Sequence, residues 1–180
     1  MITVLRWNIK GTQCNEGLLK SKKTIQIADS TGNPFNISYT YYMHALVRQQ
    51  RDEPEAALEW SEKALTISED YNLPHNRAWS KILKGWATGV LGARKGMNEI
   101  IGLGIKLIKD GIKEENRIGS IISRQIHFAL IADVYIRSEN IQKAKMLIKE
   151  GLLLISKRGE AWGKEELLSL SKKIRTKSSV

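Results

Sequence analysis

Apolar residues recur along this chain at the spacing of a helical stripe, and the stripes themselves recur. In PHNRAWSKILKGW, from Pro74, the bulky positions are Trp79, Ile82, Leu83 and Trp86, at i, i+3, i+4 and i+7. Forty residues earlier, PFNISYTYYMHAL holds Tyr39, Tyr42, Met43 and Leu46 in the same slots, and its Pro34 and Asn36 match Pro74 and Asn76. A proline just ahead of each stripe suits a helix start, where its missing N–H and fixed φ cost little. The pattern predicts two helices that bury this face, so Trp79 and Trp86 are read as core rather than as walls of an active site.

A second helix is predicted after each of these. PEAALEWSEKALTIS, from Pro54, puts Ala57, Trp60, Ser61, Ala64 and Leu65 on one face, and GMNEIIGLGIKLI puts Met97, Ile100, Ile101, Gly104 and Ile105 in the slots forty residues on. Ala64 and Gly104 are small enough to let two helix axes approach closely. HFALIADVYIRSENIQKAKMLIKEGLLLIS supplies a third pair: Phe128, Ile131, Ala132 and Tyr135, then Ala144, Ile148 and Gly151, stand at tetratricopeptide-repeat spacing. Tyr39 to Ala57 and Trp79 to Met97 span 18 residues against 16 from Phe128 to Ala144, which predicts longer turns in the first two copies. DGIKEENRIGSII is read as a loop ahead of the third copy.

Counting back, NEGLLKSKKTIQIADS reads as the second helix of an earlier repeat, of which MITVLRWNI supplies only the rear half of the first. GEAWGKEELLSLSKKI is a further amphipathic helix without a partner. The expected architecture is an all-α, tetratricopeptide-like right-handed superhelix of antiparallel helix hairpins. It divides into an incomplete repeat (1–31), repeats at 34–70, 74–112 and 118–157, a capping helix (160–174) and a basic tail (175–180). Solenoid ends need polar caps, so the unmatched helices predict a fragment, a degenerate copy or a homo-oligomer that covers its terminal faces.

Composition narrows the chemistry. Hydrophobic residues make up 42% and charged residues 27%, an ordinary soluble balance, and no run approaches the length of a membrane span. With one cysteine, Cys14, and no signal-like N-terminus, the expected compartment is the cytoplasm. His44, His75 and His127 are far apart in the chain and Cys14 has no thiol companion, so neither a metal site nor a nucleophile pair is expected. Glu165 and Glu166 are adjacent on a helix and point apart, and LGARKGMNE lacks the Lys-Ser/Thr ending of a phosphate loop. No catalytic residue and no cofactor are expected.

The 29 Lys and Arg outnumber the 19 Asp and Glu, a net charge of +10. In a stack of hairpins the first helices line the concave side, and positions beside their buried stripe face the groove. Those positions are Thr40, His44 and Arg48, then Arg77, Ser80, Lys84 and Thr88, then Asp133 and Arg137. Among them Arg48, Arg77, Lys84 and Arg137 face the single anion Asp133, which predicts a groove for an acidic protein segment. The alternative is nucleic acid or another anionic surface held by the scattered lysines, whose signature is steep salt dependence.

The stretch from GNPF through AWSKILKGWA, followed by ALIADVYIRSENIQKA, resembles the C-terminal tetratricopeptide region of large bacterial signalling proteins that join a nucleotide cyclase, a STAND-type ATPase and a helical repeat tail. The similarity covers roughly residues 14–171. Cyclase and ATPase are both missing from this chain, so the resemblance implies only the role of the tail: a non-catalytic module that binds protein partners or regulates attached domains.

Overall fold

The prolines open the helices as their stereochemistry favours. In the computed structural model, which describes residues 12–120, 124–158 and 163–177, the order is α1 (Thr12–Thr31), α2 (Pro34–Gln50), α3 (Pro54–Asp70), α4 (Pro74–Arg94), α5 (Asn98–Arg117), α6 (Arg124–Arg137), α7 (Ile141–Arg158) and α8 (Lys164–Lys177). Among the described residues there is no strand. Pro34, Pro54 and Pro74 each occupy the first turn of a helix. The half-helix expected in MITVLRWNI lies outside the described residues.

The helices also end alike. Asp52, Asn72, Gly96, Gly119 and Glu139 all take positive φ just beyond a helix C-terminus. After α2, the Glu53 N–H donates to Arg48 O at 3.0 Å and the Asp52 N–H to Gln49 O at 3.0 Å, a Schellman closure. Equivalent pairs follow α3, α4, α5 and α6. Four of these closures lead into the next helix through three residues, at 51–53, 71–73, 95–97 and 138–140. The longer turns expected in the first two copies are therefore absent. The extra length lies inside the first helices: 12 residues run from Tyr39 to the end of α2 and 16 from Trp79 to the end of α4, against 10 from Phe128 to the end of α6.

The same difference shifts the second helices. Met97 precedes α5 and is exposed, so the residue equivalent to Ala57, the fourth of α3, is Ile101, the fourth of α5. The segment read as a loop from Asp110 continues α5 to Arg117, and α8 runs to Lys177, past the expected start of the tail.

Successive helices pack as hairpins: α2 with α3, α4 with α5, α6 with α7. Along one side α2 touches α4, α4 touches α6 and α6 touches α8, leaving α3, α5 and α7 to flank this inner row. Asn76 ties the row together, its amide donating to Phe35 O (3.1 Å) and Ser38 Oγ (2.6 Å) on α2. Ile82, Leu83, Trp86 and Val90 of α4 are wholly buried in the main cluster, and Trp79 is 4% exposed.

Between α4 and α5 the backbones themselves meet. A Cβ on Gly104 would collide with the Gly89 nitrogen and lie 2.6 Å from Gly85 O; one on Gly111 would lie 2.6 Å from Ala78 O. Glycine is needed there because only a hydrogen fits.

Candidate functional site

The nine positions expected to face a groove do not share one environment. Ser80 and His44 have no exposed surface, while Thr40 and Asp133 are below 10% exposed. Ser80 donates back to Asn76 O at 2.7 Å. Thr88 and the four cations are half-buried. Burial corrects the expected placement of Thr40, His44, Ser80 and Asp133: the row α2–α4–α6 is packed closely enough that residues beside the stripe enter the contacts between inner helices.

Asp133 is the clearest case. Its Oδ2 accepts from the Trp86 indole N–H at 3.0 Å and from Arg137 Nε at 2.9 Å, and Lys173 of α8 stands 3.6 Å from Oδ1. The carboxylate thus satisfies the one polar atom of a buried tryptophan and links α4, α6 and α8. Arg137 reaches onward to Asp52 Oδ1 at 2.7 Å, across to the turn between α2 and α3. Those two carboxylates hold the Arg137 guanidinium protonated against the opposing effect of its burial.

The other expected groove cations are also engaged internally. Arg48 pairs with Glu53 (2.6 Å), Arg77 with Glu114 (3.2 Å) and Lys84 with Glu62 (3.1 Å). Burial raises the Glu114 pKa, but Lys81 and Arg77 outweigh it and hold the carboxyl below the usual range; Arg48 and Arg51 do the same for Glu53. Where the sequence suggested four cations facing one anion, each cation meets a carboxylate from a distant or turn position. The inner surface is consequently close to self-neutralised.

His44 sits in a relay whose proton positions follow from its partners. Arg48 Nε–H can only donate, so His44 Nε2 (3.1 Å) accepts; the ring hydrogen is then on Nδ1, which donates to Ser21 Oγ at 2.7 Å. Ser21 Oγ passes its own hydrogen to Leu18 O at 3.0 Å. The Trp60 ring lies edge-on at 4.7 Å. Burial first, and then the Arg48 charge, lower the His44 pKa to about 4.

At the start of α4, His75 Nδ1 lies 2.8 Å from Glu115 Oε1 of α5, and Glu115 Oε2 accepts from Ser120 Oγ at 2.9 Å. Glu115 is 1% exposed whereas the His75 side chain is 42% exposed. Glu115 Oε1 nevertheless receives no hydrogen bond among the described residues, so the contact does not orient the imidazole as the carboxylate of an acid–base pair would. Here the hydroxyl meets the carboxylate rather than the imidazole, so the order needed to activate a serine is not built. Beside this pair, His127 packs 5.3 Å from Trp79, and neither ring nitrogen has a hydrogen-bond partner among the described residues. Burial lowers its pKa to about 4, with Arg124 reinforcing and Glu115 opposing.

Sequence reasoning missed one surface feature. Between α7 and α8 runs a groove of about 360 Å³, with Ile148, Leu152 and Ile174 as its floor and Lys145, Lys149 and Arg175 along its edges. Lys145, Ile148, Lys149 and Leu152 follow each other at i, i+3, i+4 and i+7, a stripe half cationic and half apolar that could have signalled it. Among the described residues, no three of His, Cys, Asp and Glu gather as a metal site, and no helix is long and apolar enough to cross a membrane. No protein-family model matches the chain, and neither a curated protein nor a solved structure matches it.

Proposed function

We propose that the chain is a non-catalytic helical-repeat module of the tetratricopeptide type that binds a protein segment and serves as a scaffold or regulatory element in signalling. The observation that carries this reading is the serial contact of α2, α4, α6 and α8 beside flanking α3, α5 and α7, an array whose products are surfaces rather than a chamber. The resemblance of GNPF, AWSKILKGWA and ALIADVYIRSENIQKA to signalling-protein repeat tails supports the same role. An acidic segment in the inner groove receives less support, because Arg48, Arg77, Lys84 and Arg137 already hold carboxylates.

The test is capture of binding partners by the immobilised full chain at low and high salt, with and without nuclease. The reading expects defined protein partners that persist after nuclease treatment. Recovery of nucleic acid alone, lost steeply as salt rises, would replace it with the electrostatic alternative.

A further inference from the structure

Charge is unevenly distributed along the array. Helices α7 and α8 together hold ten Lys and Arg against three Asp and Glu, while α3 holds one Lys against five Asp and Glu. Most of the chain's net charge of +10 is therefore concentrated in its last two helices. The inner-row cations are matched by carboxylates; on α7, Lys145 and Lys149 join no ion pair among the described residues. They border the apolar floor of Ile148, Leu152 and Ile174, with Arg175 on the α8 side. Leu168, one turn before Ser171 on the same face of α8, is 42% exposed and extends the apolar strip.

Resting on the interaction-module reading, we infer that the α7–α8 groove is the docking site, and that its occupant is an acidic amphipathic helix of a partner protein. An apolar floor between cationic edges is complementary to a helix with one apolar edge at i, i+3/i+4 and i+7 and carboxylates on both flanks. Such a helix uses floor and edges together. A nucleic-acid duplex would engage only the cations and leave the recessed apolar floor without a partner, and a flat anionic surface would do the same.

The experiment titrates the full chain into a labelled synthetic helix of about four turns with leucines on one edge and glutamates beside them. Two control peptides replace the leucines by serine or the glutamates by glutamine. Lys145→Glu with Lys149→Glu is expected to weaken binding at least about tenfold, and Lys106→Glu with Lys109→Glu on α5 less than about twofold. Both control peptides should bind poorly, and Leu152→Ser should weaken binding while far-UV circular dichroism is unchanged. Equal loss from the α5 reversal, or equal binding of the serine peptide, overturns the site in favour of general charge attraction. Duplex DNA that binds with the same dependence on Lys145 and Lys149, where the peptide does not bind, assigns the face to nucleic acid. A displayed helix library selected on the full chain separates the two levels: binders indifferent to the α7 reversal sink the groove alone, and absence of any binder sinks the interaction reading as well.

Discussion

Trp86 fills the centre of the main core and supplies the N–H that Asp133 accepts. Replacing it by alanine removes a buried aromatic and should cost about 3–5 kcal/mol, a large part of a small domain's stability. Trp86→Phe keeps most of the volume but withdraws the donor from a buried carboxylate, for an expected cost of about 1–3 kcal/mol. Denaturant unfolding distinguishes the two; a change below about half a kcal/mol for the alanine variant would place the indole outside the core. The buried role of Trp86 was legible from its slot in the stripe. That of Asp133 was not, because its partners Trp86 and Lys173 are far away in sequence and only packing brings them together.

The same scale sets a pH dependence. His44 and His127 both have folded-state pKa values of about 4, below the ordinary 6.5. Between those values the unfolded chain binds protons that the folded chain does not, so stability falls as pH drops from about 6.5 toward 4. The slope should approach two protons, or roughly 2.7 kcal/mol per pH unit. Unfolding free energies measured across this range should flatten by about half in His127→Gln. An unchanged slope would show that His127 is protonated in the folded state.

At the scale of elements, the glycines of α4 and α5 decide how closely that hairpin closes. Gly104→Ala forces a methyl against the Gly89 and Gly85 backbones and should cost about 1–3 kcal/mol or more. Gly102, two residues away, has open space where its Cβ would be, so Gly102→Ala should stabilise α5 by about 0.5–1 kcal/mol. Thermal unfolding of the two variants should therefore shift in opposite directions; a rise in both would mean that the helices are further apart than described. Gly104 was recognisable beforehand as a close-approach residue from the repeat pattern. Helix lengths were less legible, because apolar spacing measures the distance between stripes and not where the chain turns. The Schellman closures after Gln50 and Arg94 put the turns at 51–53 and 95–97, so the residues counted as turn belong to α2 and α4.

For the whole molecule, helix-hairpin organisation could be read from residues, since Pro34, Pro54 and Pro74 and the stripes behind them are local signals. The functional surface was harder, because solvent-facing cations look alike in sequence whether or not a carboxylate from another helix meets them. Arg77 finds Glu114 on α5 and Lys84 finds Glu62 on α3, whereas Lys145 and Lys149 border an apolar groove. The expected point of recognition thus moves from the inner row to the last two helices. Amide chemical-shift mapping of the labelled chain during titration with the acidic amphipathic peptide tests this most directly. Shifts confined to Lys145–Leu152 and Ser171–Arg175, with the Trp86 indole signal unmoved, are the predicted result. Shifts along Thr40–Arg48 and Arg77–Thr88 instead would contradict it and return recognition to the inner row.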